Sequence, residues 1–232
     1  EPETGKIITM VSKPDFDPNT IKKDWETVNS DSSTALYNRA TQGKYAPGSV
    51  FKIFTALEYY RENTKGYEDY RYDCNGSITV DGKTIHCAGN HRHGTQDLEA
   101  SFANSCNSSF ANIALTLNRN KFKELCDSML FNKSLPIAFD SSKSSFSLSK
   151  SDTTGMVMET GIGQGKTLVS PLHMMLVASA IDNDGTLMTP YMVDHTQNAA
   201  GVTVKTNEAK EYGALMTEKE AQLLQKYMRS VV

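Results

Sequence analysis

Apolar residues recur at helical spacing directly after a proline–glycine pair at positions 47–48. Proline lacks a backbone N–H and glycine adopts backbone angles that other residues resist, so this pair favours a sharp turn. Phe51, Phe54 and Leu57 then follow three residues apart, which places them on one face of a helix. The pattern predicts a turn that leads into a buried helix over about residues 49–61.

Periodicity and turn residues divide the rest of the chain into further elements, and no internal repeat is visible. In the first half of the chain they predict a strand and the segment that leaves it (1–20), an irregular segment (21–48), and a hairpin with loops (66–96) whose tight turn is Asp81-Gly82. Helices (97–132) and a polar serine-rich segment with weak structure (133–160) follow. The last part is predicted to hold a helix that Ser170 caps and that runs to Gly185, strands (187–212) around a turn at Asn198–Gly201, and a final helix (217–232) that begins with a Thr217/Glu220 capping box.

Composition narrows the class of protein. A chain of 232 residues favours one domain with a sizeable core. The net charge of −3, without a basic stripe, argues against a nucleic-acid partner. No apolar stretch reaches the 18 residues of a membrane span, and no signal peptide is present. The first residue is Glu1 rather than methionine, so we expect a processed or engineered start.

Ser49 and Lys52 lie at the mouth of the predicted helix, three residues apart and therefore on one face. A serine becomes nucleophilic when a nearby base takes its proton, and a lysine can be that base if burial lowers its pKa. The helix N-terminus also favours negative charge near Ser49. Ser-x-x-Lys alone is a weak signal, because Ser147 and Lys150 repeat it inside a serine-rich loop. The turn and apolar helix favour Ser49 as the nucleophile.

A second candidate is Ser105-Cys106-Asn107, at a polar junction between two predicted short helices. Serine and asparagine are common at turns and helix caps, so a purely structural role is an open alternative. In a functional role, Ser105 would pass a proton and Asn107 would hold a substrate carbonyl.

The motifs together resemble the penicillin-binding proteins, and the resemblance runs in family order along nearly the whole chain. The segments that carry it are Glu3–Ser12, Asn38–Thr41, Ser49–Lys52, Ser105–Asn107, Gly161–Gly165, Ser170–Leu172 and Asn183–Tyr191. The chain is most similar to the shorter class B members of Gram-positive bacteria. The resemblance implies an α/β (α+β) fold of the transpeptidase and serine β-lactamase type, a sheet packed on helices. It also implies a transpeptidase domain over 1–232 with a helical lobe at about 66–160.

The third motif of that family, Lys-Thr-Gly, is not found in this sequence. The stretch Gly165-Lys166-Thr167-Leu168 belongs to the glycine-rich loop, and no glycine follows its threonine. In the family the motif follows a helix similar to 217–232. We therefore expect the chain to end before the motif strand, to lack the last strands of the sheet, and to be a weak or inactive catalyst by itself.

The resemblance implies a peptidoglycan D,D-transpeptidase that works through a serine acyl-enzyme and binds β-lactams. Ser49 would be the nucleophile, Lys52 the general base, Ser105 the proton relay and Asn107 a substrate-binding residue. The implied partners are stem peptides, β-lactam antibiotics and other cell-wall synthesis proteins. No metal or organic cofactor is implied. The expected location is the extracytoplasmic face of the membrane, through an anchor that this chain does not show.

Three other functions stay open at this point. A D,D-carboxypeptidase and a serine β-lactamase share the acylation chemistry, and a non-catalytic β-lactam sensor or scaffold fits a chain without the third motif. The glycine-rich loop and its flanks favour the transpeptidase, and no residue can be assigned as a deacylating base. The sequence that follows Val232 would separate the enzyme from the scaffold.

Cysteines and histidines cluster between residues 74 and 93, but their spacing matches no common zinc template. The predicted hairpin would bring Cys74 and Cys87 together, which favours a disulfide or free thiols over a metal site. Cys106 and Cys126 are predicted to be buried small apolar residues. For His93, a structural hydrogen bond is the expected role.

Overall fold

The computed structural model describes all 232 residues, and its helices carry most of the regular structure. They are α1 (Ile21–Ser30), α2 (Lys52–Glu62), α3 (Leu98–Ala103), α4 (Asn107–Thr116), α5 (Arg119–Ser128), α6 (Thr154–Gly161), α7 (Pro171–Asp182) and α8 (Glu218–Arg229), with short 3₁₀ turns at Gly48–Phe51, Tyr67–Asp69 and Ala88–Asn90. None of these helices has both the length and the apolar character that crossing a membrane requires.

The strands form four two-stranded antiparallel ribbons. They are β1 (Tyr72–Cys74), β2 (Ser77–Val80), β3 (Lys83–His86), β4 (Gly94–Gln96), β5 (Thr186–Met188), β6 (His195–Gln197), β7 (Thr203–Thr206) and β8 (Glu211–Ala214). β1 pairs with β4, β2 with β3, β5 with β8, and β6 with β7. The expected mixed class of helices and strands is confirmed, although the strands do not join into one continuous sheet within these residues.

The turn that carries Ser49 leads directly into helix α2, which packs in the core. Phe51 and Phe54 are fully buried in a single cluster of 38 buried apolar residues. The Phe51 ring lies 5.8–6.0 Å from the rings of Phe122, Phe131 and Phe146. Each buried phenylalanine contributes about 1.5–3 kcal/mol, so aromatic packing fixes the position of α2.

Several predicted elements are confirmed, including the hairpin at Asp81-Gly82, the helix that Ser170 caps and the Thr217/Glu220 capping box. Two segments expected to be irregular contain helices. α1 buries none of its residues, but Ile21, Trp25 and Val28 recur at helical spacing, so the sequence carried a helical signal that the expectation of an irregular segment overlooked. α6 follows a long serine-rich run, but Thr153 caps it and Val157 is buried within it.

The predicted strand in residues 1–20 is wrong. Lys6 makes a single bridge with Tyr191, through hydrogen bonds from the Ile7 N–H to the Tyr191 carbonyl and from the Tyr191 N–H to the Gly5 carbonyl. Residues 8–12 take part in no backbone–backbone hydrogen bond. An extended segment becomes a strand only where a ladder partner is present, and the described residues provide none here.

Candidate active site

A tight turn presents Ser49 to solvent at the entrance of α2. Gly48 has a φ of +56°, a left-handed conformation that favours glycine. Its N–H donates to the Gly163 carbonyl at 2.8 Å, and the chain then makes a 3₁₀ turn before α2 begins at Lys52. Ser49 is therefore exposed, while Lys52 is only 2% exposed one turn later.

The Lys52 ammonium group is surrounded by the other candidate residues. Its Nζ lies 3.1 Å from the Ser49 Oγ and 2.9 Å from the Ser105 Oγ. It also donates to the Ser105 carbonyl and to the Asn107 Oδ1, each at 2.7 Å. The Ser105 hydroxyl donates to the Ser49 Oγ at 2.8 Å, which closes a small network. Lys52 thus lies within hydrogen-bonding distance of the other three predicted site residues.

Burial lowers the pKa of Lys52 to about 8, while the nearby Cys106 and Cys87 act in the opposite direction. None of the ion pairs in the structure includes this lysine. A neutral lysine has two N–H groups and one lone pair. The Ser105 carbonyl and the Asn107 Oδ1 can only accept hydrogen bonds, so they can occupy both N–H groups. The lone pair is then left for the Ser49 hydroxyl, as a base requires.

The junction between α3 and α4 holds Ser105 and Asn107 against Lys52. Ser105 has a φ of +48°, which is uncommon for a residue other than glycine, and such conformations concentrate at functional sites. Asn107 is the first residue of α4, and its Nδ2 donates to the His86 carbonyl at 3.0 Å. No sequence pattern indicates this contact, which ties Asn107 to the end of β3.

The glycine-rich segment at Gly161–Gly165 packs against the turn that carries Ser49. A Cβ atom on Gly163 would lie 2.1 Å from the Gly48 carbonyl oxygen and 2.5 Å from the Phe51 Cβ. At Gly161 it would lie 2.3 Å from the Ala114 Cβ, and the Gly161 carbonyl accepts from the buried Thr55 hydroxyl. Gly163 therefore packs against the backbone of Gly48, and Gly161 against the Ala114 side chain, at distances that only glycine permits.

The second Ser-x-x-Lys copy has none of this environment. Ser147 and Lys150 are both exposed, outside any helix, and neither contacts a partner of the other site. The structure therefore agrees with the sequence that the two copies differ in their surroundings, since only Ser49 leads into a buried helix.

Three cysteines and one histidine lie close together near Asn107. The Cys74 and Cys87 Sγ atoms are 3.7 Å apart, as expected from the hairpin, and all four cysteines are free. Cys106 is buried as predicted, but its Sγ also lies 3.7 Å from that of Cys87. His93 Nδ1 lies 3.3 Å from the Cys74 Sγ.

Comparison with known protein families gives a match along the whole chain. The model of the penicillin-binding protein transpeptidase domain matches residues 1–232. The chain belongs to this family. Among curated relatives, the peptidoglycan D,D-transpeptidase PbpA of Mycolicibacterium smegmatis is 28% identical over 229 residues, covering 91% of this chain and 45% of the relative. Stage V sporulation protein D of Bacillus subtilis is 31% identical over 239 residues, covering 100% of this chain and 35% of the relative.

Solved structures agree on the fold of this transpeptidase domain. Penicillin-binding protein A of M. tuberculosis, as an imipenem acyl-enzyme complex, matches with a TM-score of 0.89 at 22% identity, over 100% of this chain and 55% of that chain. A D,D-transpeptidase domain from Eggerthella lenta matches with a TM-score of 0.90 at 23% identity, over 100% of this chain and 59% of that chain. The chain spans less than half the length of the two curated relatives described above.

Proposed function

We propose that this transpeptidase domain cross-links peptidoglycan through an acyl-enzyme on Ser49. The observation that carries the proposal is the closed network of Ser49, Lys52 and Ser105, in which a buried lysine of lowered pKa contacts an exposed serine. Such a pair supplies a nucleophile and its general base without a metal-bound water or an organic cofactor.

In acylation, the Lys52 lone pair takes the Ser49 proton while the Ser49 oxygen attacks the carbonyl of the penultimate D-alanine of a stem peptide. The C–N bond then breaks, and the leaving D-alanine amine receives a proton through the Ser105 hydroxyl. The Ser49 backbone N–H would stabilise the oxyanion. One N–H of the Asn107 amide already binds the His86 carbonyl, so the other is left for the substrate.

The second half of the reaction passes the acyl group to an amine on a neighbouring stem peptide. β-Lactams would acylate Ser49 because they present a strained amide to the same nucleophile. A domain that acts on these substrates would work outside the cytoplasmic membrane, together with other cell-wall synthesis proteins. The names of the relatives, which are peptidoglycan D,D-transpeptidases and penicillin-binding proteins, support this assignment.

A labelling experiment tests the nucleophile. The intact protein is incubated with a fluorescent penicillin and digested, and the labelled peptide is sequenced. We expect the label on Ser49, loss of labelling in Ser49→Ala, and unchanged labelling in the matched control Ser147→Ala. Label that persists in Ser49→Ala would refute the assignment.

A turnover experiment separates the transpeptidase from its alternatives. The protein receives a stem pentapeptide donor and an acceptor that carries a free amine. A transpeptidase forms the cross-linked product, whereas a carboxypeptidase releases D-alanine and leaves only the shortened donor. A sensor would be acylated by penicillin but would turn over neither peptide, and a β-lactamase would hydrolyse the penicillin.

A further inference from the structure

The cluster behind Asn107 consists of the Cys74, Cys87 and Cys106 sulfurs and the His93 imidazole, which we call the thiol–imidazole cluster. Its four ligand atoms all lie within 4.8 Å of one another. The three cysteines are buried and the histidine is half-buried. They come from four places in the chain: the end of β1, the residue after β3, the residue before β4, and the N-cap of α4.

Three of the six distances between ligand atoms in the cluster are close to those of a tetrahedral metal site. Zinc bonds to sulfur at about 2.3 Å, so tetrahedral geometry separates two sulfur ligands by about 3.8 Å. The Cys74–Cys87 and Cys87–Cys106 sulfur pairs are each 3.7 Å apart. A disulfide would instead require about 2.05 Å. With Zn–N bonds of about 2.0–2.1 Å, a sulfur and a nitrogen ligand would be about 3.6 Å apart, near the observed 3.3 Å from Cys74 Sγ to His93 Nδ1.

The polar surroundings of the cluster are compatible with a bound metal ion. The Ser108 hydroxyl lies 3.2, 3.3 and 3.4 Å from the sulfurs of Cys74, Cys87 and Cys106. If the three sulfurs are thiolates, this hydroxyl can donate its single proton to only one of them, so hydrogen bonding to Ser108 does not compensate their charge. Three buried thiolates without a cation would be costly, whereas a divalent ion compensates two of their three charges.

We propose that Cys74, Cys87, His93 and Cys106 bind one divalent metal ion, and that the ion is zinc. Three soft thiolates with one imidazole are a ligand set that zinc prefers, and four protein ligands leave no open position for a reacting water. Binding displaces the protons of the three thiols, and no electron is transferred. The site is therefore structural, and it joins the two ribbons β1–β4 and β2–β3 to the start of α4.

The location of the metal couples it to the proposed active site. Cys106 stands between Ser105 and Asn107 in the chain, and Cys87 follows His86, whose carbonyl accepts the hydrogen bond from Asn107. An ion that holds both cysteines would fix the two backbone segments that position Asn107. Its expected effect is to stabilise the fold and to keep this segment against Lys52.

Metal content provides the direct test. The protein is purified without chelator, and its zinc is measured by inductively coupled plasma mass spectrometry. We expect about one zinc ion per chain. The matched control Cys126→Ser, which removes a buried cysteine outside the cluster, should retain it. Cys87→Ser and the milder His93→Gln should lose most of the bound metal.

Two further readouts keep the test independent of variants that fold poorly. Replacement of the ion by cobalt(II) in the unmutated protein should produce thiolate charge-transfer bands and the intense visible bands of tetrahedral cobalt. Added zinc should raise the melting temperature of the chelator-treated protein and of Cys126→Ser, but not that of Cys87→Ser.

Either of two results would overturn the proposal: unmutated protein that takes up neither zinc nor cobalt, or a disulfide within the cluster in freshly purified protein. Neither measurement involves a β-lactam, so the metal site stands or fails separately from the acylation of Ser49.

Discussion

Replacement of Gly163 by alanine should strongly lower the rate of acylation, although it changes no residue of the Ser49–Lys52–Ser105 network. Gly163 has a φ of +72°, and an added Cβ would lie 2.1 Å from the Gly48 carbonyl oxygen. Such contacts are essentially never closer than 3.0 Å, so the two backbones must separate by about 0.9 Å. This movement would also strain the hydrogen bond from the Gly48 N–H to the Gly163 carbonyl, which holds the serine turn.

The magnitude follows from how sharply acylation depends on geometry. A misplacement of about 1 Å at a reacting group can cost about 10²-fold in rate. The left-handed conformation adds about 1–2 kcal/mol of strain for alanine. Gly165→Ala is a matched control, because Gly165 has the same φ of +72° but its added Cβ would meet nothing closer than 3.7 Å. The control carries the strain and lacks the clash.

The assay is stopped-flow acylation of the intact protein by a fluorescent penicillin, with thermal unfolding measured in parallel. We expect Gly163→Ala to acylate about 10²-fold more slowly and Gly165→Ala to remain within a few-fold of the unmutated protein. Equal rates for the two variants, whether both fast or both slow, would show that the contact with Gly48 does not position the nucleophile.

Three further predictions follow from the site and from α8. The rate of acylation should rise about tenfold per pH unit and level off above about pH 8, because only neutral Lys52 can accept a proton. A stopped-flow rate that does not change with pH would exclude Lys52 as the base. Lys52→Arg should lower acylation by several orders of magnitude with the fold intact by circular dichroism, since a guanidinium stays protonated. Thr217→Val removes the hydroxyl that accepts from the Glu220 N–H, and should cost about 1 kcal/mol in urea unfolding while acylation is unchanged.

The nucleophile and its helix could be predicted because their signals are local. The turn at 47–48, the apolar spacing and the lysine at i+3 all lie within one short segment. Helix caps such as Ser170 and Thr217 are likewise decided by neighbouring residues. The mixed fold class and the family could be predicted for a related reason, since the motifs occur in a fixed order along the chain.

Features that depend on distant pairing could not be predicted in the same way. The Gly48–Gly163 contact joins residues far apart in sequence, and nothing near either glycine indicates the other. The first segment reads as a strand, but a strand exists only where a partner completes its ladder. The thiol–imidazole cluster gathers side chains from four places in the chain, so its spacing matches no compact template even though its four ligand atoms lie within 4.8 Å of one another.

Lys52 can be neutral because none of the side chains that contact it is a carboxylate. Lys6 and Lys123 each contact an aspartate, and that hydrogen bond raises their pKa values. Lys52 has four hydrogen-bond acceptors around it, but they are two hydroxyls, a carbonyl and an amide, none of which carries a negative charge. Burial therefore lowers its pKa without a carboxylate to restore it. An asparagine at position 107, rather than an aspartate, thus keeps the lysine available as a base while still holding it in place.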